Sequence, residues 1–294
     1  MEQKIDITDA SYPEALKHIH KPPSRIFIVG EILEEDKNAI AIVGTRRPSF
    51  YGIEAAEKLS YALATLGITI VSGMAKGVDA AAHRGAIKAG GRTIAVMGSG
   101  HDNIYPPEHK KLYEEIRKHG AVVTEFPIGT EPERHNFPLR NRIISGMSKG
   151  VVVIEAPAKS GALITAGFAL EQGREVFAVP GNINSLKSAG SNRLIKDGAK
   201  LVENVEDILE ELRYVLDIEV ERSDAGGQIP EAGKKEELSL EESRIYGFLS
   251  KTPTSIHDIT RKLNAPPQDI SKIILALELK KLVKTLPGES IIKV

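Results

Sequence analysis

The chain has 294 residues, 41% hydrophobic and 27% charged, which suits about two folded domains and excludes a disordered polypeptide. Its 39 Lys and Arg nearly cancel its 40 Asp and Glu, which excludes a uniformly basic polyanion binder but leaves room for a local basic face. Cysteine is absent, so disulfides, thiolate nucleophiles and Cys-ligated metal centres are excluded too.

Residues 1–37 read as a lead-in packed on the domain that follows, with a strand over 26–29 and an approach stiffened by Pro22-Pro23. Glu2, Asp6 and Asp9 stand where a secretory leader needs basic residues and then an apolar run. The longest apolar runs, such as Val151-Val152-Val153-Ile154, are too short to cross a bilayer, so a soluble cytoplasmic protein with no membrane partner is expected.

From 38 to 215 short β-branched runs alternate with glycine turns and amphipathic helices. Strands are predicted over 40–43, 68–71, 93–97, 122–124, 151–154, 175–179 and 200–202. Helices are predicted over 53–66, 76–89, 107–118, 140–147, 162–172, 191–197 and 204–213. Gly67, Gly90, Gly120, Gly173 and Gly198 follow helical stretches, where a left-handed cap favours glycine. Continuous apolar strands in regular βαβ alternation imply an α/β, doubly wound, mostly parallel Rossmann-like sheet covered on both faces.

Residues 216–239 read as a flexible acidic linker: Asp217, Glu219, Glu221, Asp224, Glu231, Glu236 and Glu237 against Arg222, Lys234 and Lys235, with Ala225-Gly226-Gly227 and Pro230. Over 240–294, helices fit 240–250, 255–263 and 267–281, the last carrying Ile270, Ile273, Ile274 and Leu277 on one face. A hairpin turning at Pro287-Gly288-Glu289 closes the chain, which makes this unit a small winged helix-turn-helix domain.

In an open parallel sheet, ligands bind beyond the carboxyl ends of the strands. Those ends read Gly44-Thr45-Arg46-Arg47, Ser72-Gly73-Met74-Ala75-Lys76-Gly77, Gly98-Ser99-Gly100 and, past Glu155, Lys159-Ser160-Gly161. Glycine, a small hydroxyl and a cation at a helix N-terminus suit phosphate oxygens, whereas any one such loop equally serves a tight turn. The nearest dinucleotide fingerprint, Gly98-Ser99-Gly100-His101-Asp102-Asn103, ends in Asn, and the chain has no P-loop. Cations spread over several loops (Arg46, Arg47, Lys76, Arg140, Arg142, Lys159) fit an extended polyphosphate better than one pyrophosphate. Phe137, ahead of Arg140-Asn141-Arg142, offers a face for a base or a core contact at a helix start. Arg140 and Arg142 are two apart and cannot share a helical stripe, so one is expected at the ligand and the other on an internal carboxylate.

Taken together, these strings resemble the DprA/Smf family of bacterial DNA-processing proteins. The resemblance rests on Val43-Gly44-Thr45-Arg46, Ser72-Gly73-Met74-Ala75-Lys76-Gly77-Val78-Asp79 with Ala82-His83, Met97-Gly98-Ser99-Gly100 with Tyr105-Pro106, Phe137-Pro138 with Arg140-Asn141-Arg142, and Ser160-Gly161-Ala162-Leu163-Ile164-Thr165. It runs in order over about 12–212. It implies a cytoplasmic, non-enzymatic protein that binds single-stranded DNA without a cofactor, forms a homodimer, and passes the strand to a RecA-type recombinase in natural transformation. The implied DNA site takes in Gly44, Thr45, Arg46, Arg47, Lys76, Ser99, Phe137, Arg140, Asn141, Arg142, Lys159, Ser160 and Gly161. The late helices near Leu194 and Ile195 are a candidate dimer surface.

The rival is a nucleoside-monophosphate phosphoribohydrolase of the lysine-decarboxylase-like Rossmann family, with Glu125 and Glu155 as acid and base around Arg142. The paired glycines of that family's Pro-Gly-Gly-x-Gly-Thr loop are missing from Lys159-Ser160-Gly161-Ala162-Leu163-Ile164-Thr165. Asp79 and His83, four apart on a helix, have the spacing of metal ligands but no third partner, so a helix-start carboxylate beside a packed imidazole is expected instead. The winged helix is open to two readings, a major-groove reader or a protein contact.

Overall fold

The computed structural model describes residues 2–216 and, beyond them, 240–249, 253–263, 270, 273–274, 277, 282–286 and 290–293. The chain divides into two compact units, Met1–Val220 and Glu221–Val294.

The first unit opens with β1 (Gln3–Asp6), α1 (Glu14–Lys17) and β2 (Arg25–Gly30). The alternation then runs β3 (Ala39–Val43), α2 (Phe50–Thr65), β4 (Thr69–Ser72), α3 (Val78–Lys88), β5 (Thr93–Val96), α4 (Lys110–Ile116), β6 (Gly120–Thr124) and α5 (Asn136–Gly146). It ends with β7 (Gly150–Val153), α6 (Gly161–Glu171), β8 (Glu175–Ala178), α7 (Ala189–Lys196), β9 (Lys200–Leu201) and α8 (Val205–Leu212). One nine-stranded sheet has the order β1-β2-β6-β5-β4-β3-β7-β8-β9. Pairing is parallel from β6 to β9, and β1 and β2 extend it antiparallel. The order reverses between β3 and β7, so the loops after these strands diverge and open a crevice at the carboxyl edge.

Side chains alternate across the sheet, and each face has its own core. Ala39, Ala41, Val43, Val151 and Val153 pack with Leu16, Ile143, Ile144 and Ala166 on the α1, α5 and α6 side. Ile40, Ile42, Val152 and Ile154 pack with Leu59, Leu63, Ala82 and Ile208 on the α2, α3 and α8 side. No described helix is long and apolar enough to cross a membrane.

The fold departs from the sequence expectations at four places. β1 was not anticipated, because four residues with two exposed side chains carry almost no periodic signal. Gly120 is the first residue of β6 and has no positive φ, unlike Gly67, Gly90, Gly173 and Gly198. The helix over 107–118 opens as a 3-10 turn, Pro107–His109, closed by the His109 amide on the Pro106 carbonyl at 2.9 Å, and only then continues as α4. α5 starts at Asn136, not at 140, and places Phe137 and Pro138 in its first turn, where a missing N–H costs nothing.

In the second unit, α9 (Leu240–Phe248), β10 (Thr254–Ser255), α10 (Ile256–Leu263), β11 (Val283–Leu286) and β12 (Ser290–Lys293) surround a small core. That core holds Ile245, Leu249, Ile259, Ile270, Ile274, Leu277, Val283 and Ile291, so three of the four apolar positions singled out on its third helix are buried in it. β10 joins the hairpin as a third strand, in the order β10-β12-β11. The linker positions 217–239 and the turn Pro287-Gly288-Glu289 lie outside the described residues.

Candidate nucleic-acid interface

The loop after β3 turns sharply over α3. The Thr45 amide donates to the Glu155 carbonyl at 2.7 Å, while the Thr45 carbonyl accepts from the Val78 amide at 3.3 Å. Gly77 has φ +81°, and a Cβ there would stand 2.5 Å from the Thr45 carbonyl oxygen, so only glycine lets the two loops meet. Gly44 is as close to Val78, with 2.6 Å left between a built Cβ and Val78 Cγ2. The tightly held backbone projects Arg46 and Arg47 outward, both exposed.

The loop after β4 supplies the second wall. Met74 is fully buried yet holds φ +53°, a strained backbone beside the ligand edge. Below it, Arg140 of α5 reaches up from the core. Its Nη1 donates to the Gly73 carbonyl at 2.7 Å and to the Val96 carbonyl, and its Nε donates to Asn141 Oδ1 at 3.2 Å. Burial pulls the guanidinium down to about 10, against the attraction of Asp79. Arg140 therefore remains charged at neutral pH. Asp79 is raised by burial, with Arg140 and the Ala75 amide acting against that rise.

Together these groups form an open cleft lined by Arg46, Lys76, Tyr105, Phe137 and Arg140 with Gly73 and Ala75. The Arg46 guanidinium lies 5.2 Å from the Phe137 ring centroid and that of Arg140 lies 5.9 Å from it. Tyr105 stands beside Phe137 with centroids 5.7 Å apart and planes tilted by 46°. Lys76 pairs with Glu108 of the 3-10 turn.

A second notch lies at the start of α6. Ser160 caps the helix by accepting from the Ala162 amide at 3.3 Å, and Lys159 and Gly161 are exposed there. Asn141 joins the two places: its Nδ2 donates to the Gly161 carbonyl at 3.2 Å while its Oδ1 holds Arg140.

Of the anticipated site residues, Arg46, Lys76, Phe137 and Arg140 meet in the cleft, and Lys159, Ser160 and Gly161 meet at the notch. Ser99 and Arg142 do not line the cleft. Ser99 is buried, and its hydroxyl donates to the Asn103 carbonyl at 2.7 Å. Arg142 grips Glu125 with two N–H groups, at 2.8 and 2.6 Å, and gives its Nε to the Lys21 carbonyl. It is thus the arginine of the pair that sits on an internal carboxylate. Leu194, named as a dimer candidate, is half-buried against the sheet core. Tyr105 and Glu108 were not assigned to the site. Tyr105 had a signal, its place just after the Gly98-Ser99-Gly100 turn; Glu108 had none.

The rival acid–base pair is tied up in the same way. Glu155 accepts from the Ser49 amide and the Ser49 hydroxyl, each at 2.7 Å, and Glu125 is held by Arg142. The described residues contain no group of three or more His, Asp or Glu placed to hold a metal. Asp79 lies in the first turn of α3, and His83 packs in the core with its Nδ1 2.7 Å from Thr93 Oγ1.

The family model for DNA recombination-mediator protein A matches residues 3–213, and that for the DprA winged helix domain matches 230–289. DNA processing protein DprA of Bacillus subtilis is 46% identical over 71% of this chain and 70% of its own. Protein Smf of Escherichia coli is 38% identical over 94% of this chain and 74% of its own. The structure of DNA processing protein A from Helicobacter pylori, described by its single-stranded DNA binding mode, superposes with a TM-score of 0.65 at 29% identity, over 72% of this chain and 96% of that one.

Proposed function

Because the chain belongs to the DNA recombination-mediator protein A family, we propose that it binds single-stranded DNA along the carboxyl edge of its sheet, unchanged chemically, and passes the strand to a RecA-type recombinase in natural transformation. The observation that carries this reading is the cleft, in which cations and aromatic rings share one wall: Arg46 over Phe137, Tyr105 alongside, Arg140 beneath and Lys76 at the rim. A strand needs both kinds of group, cations for its phosphates and flat apolar faces for its unstacked bases. The strand runs onward past Lys159, Ser160 and Gly161, where the α6 N-terminus and the exposed Lys159 ammonium offer N–H groups to a neighbouring phosphate. Gly44, Thr45 and Asn141 shape these walls without presenting a charge. Arg47 is exposed beside Arg46 and adds to the positive rim.

Such contacts read backbone and ring faces, so little sequence preference is expected. The recombinase, the homodimer and the cytoplasmic setting rest on family membership, and the non-enzymatic reading on the internal engagement of Glu125 and Glu155. Each cleft spans only a few nucleotides, so pairing two copies would raise avidity without any new contact.

The test is a titration of oligothymidylate and of a duplex of equal length over a range of salt. Arg46→Ala is expected to weaken single-strand binding alike for all sequences and to flatten the log–log salt slope by about 0.7. A preference for duplex, or an Arg46→Ala curve that overlays the wild type, overturns the reading.

A further inference from the structure

The cations of the cleft are not equally available. Arg140 is buried, and its Nη1 and Nε are engaged by the Gly73 and Val96 carbonyls and Asn141, so it is held in place and supplies a fixed field from below. Arg46 lies on Phe137 and has no carboxylate partner among the described residues. Lys76 is different: it is exposed, it lines the cleft, and its ammonium is already taken by the carboxylate of Glu108. Glu108 does not stand there by chance of a floppy side chain. It belongs to the turn Pro107–His109, which begins beside the cleft residue Pro106 and is fastened to the Lys76 loop by His109, whose Nδ1 lies 2.9 Å from the Met74 carbonyl.

Resting on the reading of the cleft as the strand site, we infer that Glu108 is a built-in competitor of the strand: its carboxylate holds the seat on Lys76 that a phosphodiester takes, so binding proceeds by exchange of one anion for the other. Lys76 holds Glu108 below the usual carboxylate range, so the competitor keeps its charge at neutral pH. Both partners are more than half exposed, with side-chain accessibilities of 56% and 53%, so the pair is weak enough to be displaced. Once displaced, Glu108 faces the incoming phosphate as a like charge. It therefore lowers affinity twice, by occupying Lys76 and then by repelling its replacement. Glu108 would on this account set how tightly the strand is held, and a grip kept loose is suited to a strand that must be surrendered to another protein.

The experiment is carried out on the full chain with oligothymidylate over a range of salt. Glu108→Gln is expected to tighten binding about two- to fivefold at low salt and to steepen the salt slope by up to about 0.7, as Lys76 becomes a full phosphate contact. The gain should vanish in the double variant Lys76→Gln/Glu108→Gln. Glu211→Gln is the charge-matched control, because Glu211 pairs at 3.2 Å with Lys200 at the amino end of β9, the far edge of the sheet. If Glu108→Gln behaves as Glu211→Gln does while Arg46→Ala still weakens binding, the inference falls and the site stands. If Arg46→Ala and Glu108→Gln both leave binding unchanged, the site itself falls.

Discussion

Two positions apart on α5, Arg140 turns into the fold and gives its Nη1 to the Gly73 and Val96 carbonyls, whereas Arg142 turns to the opposite side and closes on Glu125. The helical period dictates this divergence; which of the two meets the cleft depends on where β4 and β5 end. His83 illustrates residue-scale chemistry that the site does not use. The Thr93 hydroxyl donates to the Ile70 carbonyl at 2.8 Å, so its oxygen must accept from His83 Nδ1–H, and Nε2 is left bare and without a partner in the core. Burial pulls the imidazole down to about 3. Below about pH 6.5 the unfolded chain takes up a proton there that the folded chain refuses. The stability due to a neutral His83 is thus complete above that pH and is lost as pH falls toward 3. Urea unfolding of the wild type is expected to weaken between pH 6 and 4 by up to about 1.4 kcal/mol per pH unit more than that of His83→Asn. Equal pH slopes in the two proteins would show that His83 takes its proton in the folded state.

At the scale of elements, α2 and α6 both begin at a serine cap, in different surroundings. Ser49 accepts from the Gly52 amide and also donates to the carboxylate of Glu155, a buried residue. Ser160 accepts from the Ala162 amide at an open notch. Ser160→Ala should cost about 1 kcal/mol, the loss of a cap. Ser49→Ala should cost about 2–4 kcal/mol, because a buried carboxylate loses a donor as well. Thermal denaturation is expected to rank them in that order, about 2–4 °C per kcal/mol for a unit of this size; the reverse ranking would mean that Glu155 finds another donor. Most of these elements were legible beforehand, since buried parallel strands are continuous apolar runs and each helix carries its own stripe. β1 was not, because a short edge strand is chosen by its partner β2 and not by its own pattern. The 3-10 start before α4 was not legible either, because prolines at a helix start suit both kinds of turn and a single tightened turn has no period of its own. In the site, Arg46, Lys76 and Phe137 were legible as charge and ring beside glycine. The Lys76–Glu108 pair was not, because two residues 32 positions apart meet only when the loops after β4 and β5 close on each other.

At the scale of the molecule, the two units have separate cores, one on the two faces of the large sheet and one among the short helices and wing. Each is expected to unfold in its own transition. Oligothymidylate at about a hundred times its dissociation constant should stabilise the first unit by about 2.7 kcal/mol. That corresponds to a rise on the order of 5–10 °C in its midpoint, with the second transition unmoved. A shift confined to the second transition would place the strand on the winged helix instead, and calorimetry distinguishes the two.

The cleft draws its walls from the stretches around Arg46, Lys76, Tyr105 and Arg140, and Arg140 fastens the ends of β4 and β5 from beneath. On the proposed reading, these stretches are already arranged before any nucleotide arrives. The entropy of assembling the receptor is spent during folding, and an arriving polymer has only its own wriggling to give up. Pre-arrangement of this kind favours quick capture, and it leaves the lifetime of the complex to the few ionic contacts made at the mouth.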